Sequence, residues 1–207
     1  MTGTPEGANR VVFTNAARGD MRRELSNRSA LAVELGISEE WATADQVHGG
    51  EVVKVEEPGS AGRADALWTD VPDLPVAIFT ADCLAVALVG PDSVGLAHAG
   101  WRSAEKGIVS NLRREMTEAG HRLERAMVGP GIGPCCFEVG EEVAQRFTAD
   151  RASTTWGTTS VDLRRRVGRD LEGLRVWSMT DCTRHDPGYF SHRADATDSR
   201  LAAVAWI

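Results

Sequence analysis

Apolar positions along this chain follow two spacings, and the switches between them outline the elements. Residues 84–89 and 94–97 form two short apolar runs of β-branched and small side chains. Gly90, Pro91 and Asp92 punctuate the gap between them, which predicts a β-hairpin. Further extended segments are expected at 10–14, 51–55, 64–69, 75–80, 126–128, 176–178 and 201–207. Helical spacing is clearest over 103–119. Ile108, Leu112 and Met116 recur there every four residues with Val109 beside them, and Gly120 suits the stop. Residues 28–35 form a second candidate helix, with Asn27 as its cap and Gly36 as its left-handed end. Residues 140–147 and 162–171 read as two more, the latter capped by Asp162, with Arg164, Arg165 and Arg166 on a solvated face. Polar, Gly- and Pro-bearing stretches at 57–63 and 129–140 read as loops, and residues 1–9 as a frayed start. The alternation of strand and helix signals predicts an α/β (α+β) fold in one domain spanning 1–207.

A chain of 207 residues suffices for a substantial core. With 42% hydrophobic and 26% charged residues it falls among ordinary globular proteins. A net charge of −7 without any long basic run argues against nucleic acid as a partner, so an anionic substrate requires a local positive site. The N-terminus lacks a signal-peptide layout and no apolar run approaches the ~20 residues of a membrane span. Cytoplasmic localisation is therefore expected, with Cys83, Cys135, Cys136 and Cys182 as reduced thiols. Cys135 and Cys182 read as small buried hydrophobes, and Cys136 as a residue lining a pocket.

The hairpin carries the chemistry. Cys83 precedes its first strand and His98 follows its second, so antiparallel pairing makes them neighbours. Upstream, Gln46-Val47-His48-Gly49 supplies another imidazole. Two histidines and one cysteine make a three-ligand zinc set with a fourth position open. The metal-free alternative is a Cys83 thiolate activated by His98. Arg102 and the start of the following helix are expected to add positive charge, the alternative for Arg102 being a solvated surface charge. Asp82, beside the cysteine, is a candidate acid or imidazole-orienting carboxylate, or simply a turn-capping one.

Four segments together resemble the YfiH family: Gln46-Val47-His48-Gly49, Thr80-Ala81-Asp82-Cys83, His98-Ala99-Gly100-Trp101-Arg102 and residues 129–140. The late Cys182-Thr183, Asp186-Pro187, Phe190-Ser191 and Arg193 fit the same pattern. Members are also described as multicopper polyphenol oxidoreductases (laccase-like) and as peptidoglycan editing factors. The resemblance implies helices layered over mixed, largely antiparallel sheets, a fold shared with a toxin-type cysteine hydrolase. It implies one Zn²⁺ held by His48, Cys83 and His98. It further implies phosphorolysis of adenosine, inosine and methylthioadenosine, with purine nucleoside and phosphate as partners, and deamination of adenosine. Catalytic roles then fall to Cys83, His98, Asp82 and Arg102, and substrate contacts to Gln46, Arg102 and Cys136. A monomer or weak dimer is expected. The alternative is a cysteine-type amidase acting on peptidoglycan precursors.

Three positions depart from the family pattern. The loop before Asn27-Arg28 is short, with only Arg18-Gly19; Ser103 replaces a glycine; and His192 and Ala194 fall in a segment usually written Ser-Tyr-Arg-Arg. Laccase chemistry is disfavoured, because a multicopper centre spreads imidazoles over several coppers and this chain has five histidines in all. A single blue copper also uses His₂Cys, but it wants an axial thioether, and no methionine lies in the three ligand motifs.

Overall fold

Leu84, Val86 and Leu88 join one apolar cluster while Ala85, Ala87 and Val89 join another. Their strand is buried on both faces, which explains its unbroken apolar run. The computed structural model describes residues 10–207, so the expected frayed start at 1–9 lies outside the described residues.

In chain order the first elements are β1 (Val11–Phe13), α1 (Leu25–Leu35), β2 (Ala42–Asp45), β3 (Val52–Lys54), β4 (Gly59–Arg63), β5 (Ala66–Thr69) and β6 (Val76–Thr80). The central hairpin follows as β7 (Leu84–Val89) and β8 (Val94–Ala99), then α2 (Trp101–Glu105), α3 (Ile108–Glu118) and β9 (Arg125–Val128). The remainder comprises α4 (Glu141–Ala144), β10 (Arg151–Ser153), β11 (Thr159–Val161), α5 (Leu163–Asp170), β12 (Arg175–Ser178), α6 (His192–Asp195) and β13 (Leu201–Ala205).

Two mixed sheets result, ordered β1-β13-β6-β2-β4 and β12-β9-β7-β8-β5-β3, with β10 and β11 as a separate ribbon. They pack face to face: Ile78, Val76 and Leu201 of the first sheet share one cluster with Ala87, Leu96 and Met127 of the second. The outer face of the six-stranded sheet is covered by α3 and α5, through Ile108, Leu112, Met116 and Val167. Leu31 and Ala32 of α1 cover the outer face of the other sheet against Phe79 and Val204. Helices thus layer over two mixed sheets, in which antiparallel pairings are only a slight majority: β12–β9, β2–β4, β2–β6 and β3–β5 are parallel. Among the described residues no helix is long and apolar enough to cross a membrane.

Several expectations are corrected by this structure. The helix expected over 103–119 is two helices, because Gly107 adopts φ 70° in the left-handed region and breaks the ladder between α2 and α3. Asn27 is not a cap; α1 begins two residues before it, and its amide donates to the Asp20 carbonyl instead. Residues 57–63 contain β4, which pairs parallel to β2. The β10–β11 hairpin carries no strong periodic signal and is new. Arg164 is not on a solvated face: its Nη2 donates to the Asp181 carbonyl at 2.8 Å and to that of Gly131 at 3.3 Å.

Candidate metal centre and cavity

The antiparallel register sets Ala85 opposite His98 and Leu84 opposite Ala99. His98 therefore lies within β8 rather than after it, and Cys83 falls at the outer end of the pair. The third group comes from the turn after β2, where His48 takes φ 57°. Left-handed backbone at a bulky residue costs about 1–3 kcal/mol, and one carboxylate holds it there. Asp65, fully buried, accepts the N–H groups of Val47 at 3.1 Å, His48 at 3.0 Å and Gly49 at 2.5 Å.

The same carboxylate fixes His98, whose Nδ1 is 2.8 Å from Asp65 Oδ1. With three backbone donors already on it, Asp65 is held as a carboxylate that can only accept, so Nδ1 carries the hydrogen and the Nε2 lone pair is free. Burial works against ionisation of Asp65, yet His98 and the Gly49 and Val47 N–H groups hold its pKa below the ordinary value.

Cys83, His48 and His98 present ligand atoms that all lie within 4.8 Å of one another. Cys83 Sγ is 3.9 Å from His48 Nε2, and the two imidazoles meet edge-to-face with centroids 4.8 Å apart. The 3.9 Å between Sγ and Nε2 is a few tenths of an ångström longer than the about 3.5 Å between ligands held at about 2.0–2.3 Å by one tetrahedral ion, within reach of a small side-chain shift. Gly100 makes the convergence possible, because a Cβ there would stand 2.8 Å from Cys83 Sγ and 3.0 Å from His48 Cδ2. Without an ion, burial opposes charge on both Cys83 and His98, but each stabilises the other. The thiol is drawn down to about 6 and the imidazole up to about 9.

The triad opens on a cavity of about 330 Å³, whose wall includes Gln46, Phe79, Ile132, Phe137 and His192. Arg22, Arg193 and Arg200 also line it, giving the local positive site that an acidic chain needs for an anion. Asp20 ties two of these together, since its Oδ1 accepts the N–H groups of Arg22 and Arg200 at 2.9 and 3.2 Å.

The remaining sequence candidates divide. Gln46 lines the cavity, but its amide is paired with the backbone of Phe79 by two 2.8 Å bonds, so it braces the wall. Asp82 also lines the cavity, with both oxygens engaged, one by Thr183 Oγ1 and one by the Arg193 N–H, each at 2.7 Å. Arg102 is exposed, stacks on Trp101 at 4.2 Å, and is not part of the cavity wall. The helix starting beside the ligands is the five-residue α2, too short to build the expected anion site. Cys136 is buried away from the cavity, 3.8 Å from His185 Nδ1. Asp65, Arg22 and Arg200 were not anticipated. The signal for Asp65 was a lone carboxylate between Ala64 and Ala66 at the start of an apolar strand.

Comparison with known proteins gives a consistent set of likenesses. A family model described as multi-copper polyphenol oxidoreductase laccase matches residues 12–207. The chain is 36% identical over 197 residues to purine nucleoside phosphorylase SCO2081 of Streptomyces coelicolor, covering 88% of this chain and 81% of that protein. It is 37% identical over 199 residues to a Deinococcus radiodurans protein named purine nucleoside phosphorylase, covering 89% and 78%. Among solved structures, Bacillus licheniformis YfiH superposes with a TM-score of 0.82 at 26% identity, covering 88% of this chain and 80% of that one. YlmD from Geobacillus stearothermophilus gives 0.81 at 26% identity, covering 99% and 86%.

Proposed function

Since this chain belongs to the multi-copper polyphenol oxidoreductase laccase (YfiH) family, and relatives at 36–37% identity are named purine nucleoside phosphorylase, we propose that it is a zinc-dependent enzyme of that activity. Its substrates in this reading are adenosine, inosine and methylthioadenosine with orthophosphate, and it also deaminates adenosine. The observation that carries the reading is a His₂Cys triad facing a cavity lined by three arginines.

The donor set favours zinc over copper. His48, Cys83 and His98 would hold zinc with one ligand fewer than a closed four-coordinate shell, and no methionine among the described residues lines the cavity to supply the thioether that a blue copper wants. When bound, the ion supplies positive charge and Lewis acidity and lowers the pKa of water toward ~7. Asp65 holds His98 in the tautomer that presents Nε2, and Gly100 leaves room for Cys83 and His48 to converge. Arg22, Arg193 and Arg200 attract and hold phosphate beside the nucleoside, making the attack effectively intramolecular. In phosphorolysis a phosphate oxygen bonds to ribose C1′ while the C1′–N9 pair leaves with the purine, which takes up a proton. Both oxygens of Asp82 are occupied, so we assign that proton to the doubly protonated His192 ring, whose Nδ1–H faces the Thr197 carbonyl at 3.3 Å and whose Nε2–H is left to donate to the purine. In deamination, water adds at C6 and ammonia leaves.

A second reading rests on the Asp65–His98–Cys83 alignment with its depressed thiol, the constellation of a cysteine amidase acting on peptidoglycan precursors. Two measurements separate the readings. The first expects phosphate-dependent release of hypoxanthine from inosine, abolished by Cys83→Ala, and zinc in the purified chain. Metal-free protein that cleaves a muropeptide amide and is inactivated by alkylation of Cys83 would favour the second. Undiminished phosphorolysis by Cys83→Ala would reject the triad as the phosphorolytic centre.

A further inference from the structure

Three cysteines and a histidine that the reaction does not use converge at a second point. Cys135 and Cys136 sit on a turn in which the N–H groups of Cys136 and Phe137 both donate to the Gly133 carbonyl at 3.0 Å. Cys182 and His185 share another, where the N–H groups of His185 and Asp186 donate to the Cys182 carbonyl at 2.9 and 3.0 Å. The bridge between Gly131 and Cys182 brings the two turns together. The four ligand atoms lie within 4.8 Å of one another, and His185 Nδ1 is 3.8 Å from the sulfurs of both Cys135 and Cys136. All four cysteines of the chain are free thiols.

We propose that Cys135, Cys136, Cys182 and His185 form a structural zinc site, separate from the His48–Cys83–His98 centre. With bonds of about 2.3 Å to sulfur and 2.0–2.1 Å to nitrogen, a tetrahedral ion sets its ligands about 3.5–3.8 Å apart, and the two His185 separations match that spacing. Four protein ligands close the coordination shell, the pattern of structural rather than catalytic zinc. The surroundings suit thiolates. The Gly133 N–H donates to Cys182 Sγ at 3.2 Å, and a Cβ on Gly133 would stand 3.2 Å from Cys135 Sγ, so glycine leaves the sulfurs room.

Zinc with three thiolates and a neutral imidazole carries one net negative charge. Arg164 balances it: its guanidinium is anchored on the Gly131 and Asp181 carbonyls, one residue before Cys182, and its buried Nε has no hydrogen-bond partner. His185 is exposed, which gives the ion a way in.

The site pins together two segments that wall the cavity. One carries Ile132 and Phe137, the other His192 and Arg193, while Thr183 beside Cys182 binds Asp82. The zinc would thus fix the far wall without touching the reacting atoms.

Metal content tests this independently of any turnover, so its failure and that of the nucleoside reading are distinguishable. The full chain, loaded with zinc alone and freed of loose metal, should hold about two ions. His48→Ala should keep the second, and a Cys135→Ser/Cys182→Ser double variant should lose it. His185→Cys should retain it as a four-cysteine site. Should the double variant fail to fold, cobalt-loaded His48→Ala keeps the test open through a thiolate-to-cobalt charge-transfer band. Zinc should also shield Cys135, Cys136 and Cys182 from a thiol reagent. The proposal is overturned if His48→Ala binds neither zinc nor cobalt. A mass two units low, marking a disulfide between Cys182 and Cys135 or Cys136, overturns it equally.

Discussion

Asp65 and His98 share a 2.8 Å hydrogen bond that orients the whole centre, because the carboxylate oxygen that accepts Nδ1–H of His98 also accepts the N–H of His48. One buried charge thus places two of the three ligands. Asp65→Asn keeps the shape but gives the backbone N–H groups a weaker acceptor and frees the His98 tautomer. Zinc affinity should fall about 10–100-fold, measured by competition with a chromophoric chelator. Unchanged affinity would mean that Asp65 serves folding alone.

Gly100 tests whether the ligands need their close approach. Gly100→Ala places a methyl 2.8 Å from Cys83 Sγ. First-centre zinc binding should weaken about tenfold or more, while the thermal midpoint of the metal-free protein, followed by circular dichroism, shifts little. A large loss of metal-free stability would point to a packing role instead.

The cavity arginines should act on phosphate. Loss of a charge-assisted bond costs about 1.5–3 kcal/mol, so Arg200→Ala should raise KM for phosphate about tenfold or more at nearly constant KM for inosine. His192→Phe should instead lower kcat by about 10²-fold or more and flatten its pH profile. Steady-state kinetics with each substrate varied separates the two effects.

The platform beneath the site depends on α3. Leu112 is fully buried with Met116 and Ile108, packed against β8 where Gly95 has no side chain; a Cβ there would stand 3.0 Å from Leu112 Cδ1. Leu112→Ala should cost about 2–5 kcal/mol, read from the midpoint of urea unfolding.

Acid sensitivity should be traceable to Asp150, which is 1% exposed. Burial opposes its charge, but Arg169 and then Arg165 hold its pKa below the ordinary 3.8. A depressed carboxyl contributes stability above its unfolded value and loses it as pH falls through the folded one. Between pH 5 and pH 2, wild type should therefore lose more of its urea midpoint than Asp150→Asn. An equal loss in both would place the sensitive carboxylate elsewhere.

The sequence alone determined the β7–β8 hairpin, with Cys83 and His98 brought near each other at its end, and the α3 stripe of Ile108, Leu112 and Met116. These are carried by local periodicity and by one short turn, which fix neighbours without reference to the rest of the chain. Other features were open to local reading but missed: the left-handed break at Gly107, and strand β4 hidden in a glycine-bearing polar stretch. Only the tertiary structure decided that Asp65 rather than Asp82 orients an imidazole, and that Arg22, Arg193 and Arg200 rather than Arg102 face the cavity. It alone set Cys135, Cys136, Cys182 and His185 side by side. A long side chain's destination depends on which distant segment crosses its path. That crossing is fixed by how two sheets and their helices share their cores, which no spacing within a single segment encodes.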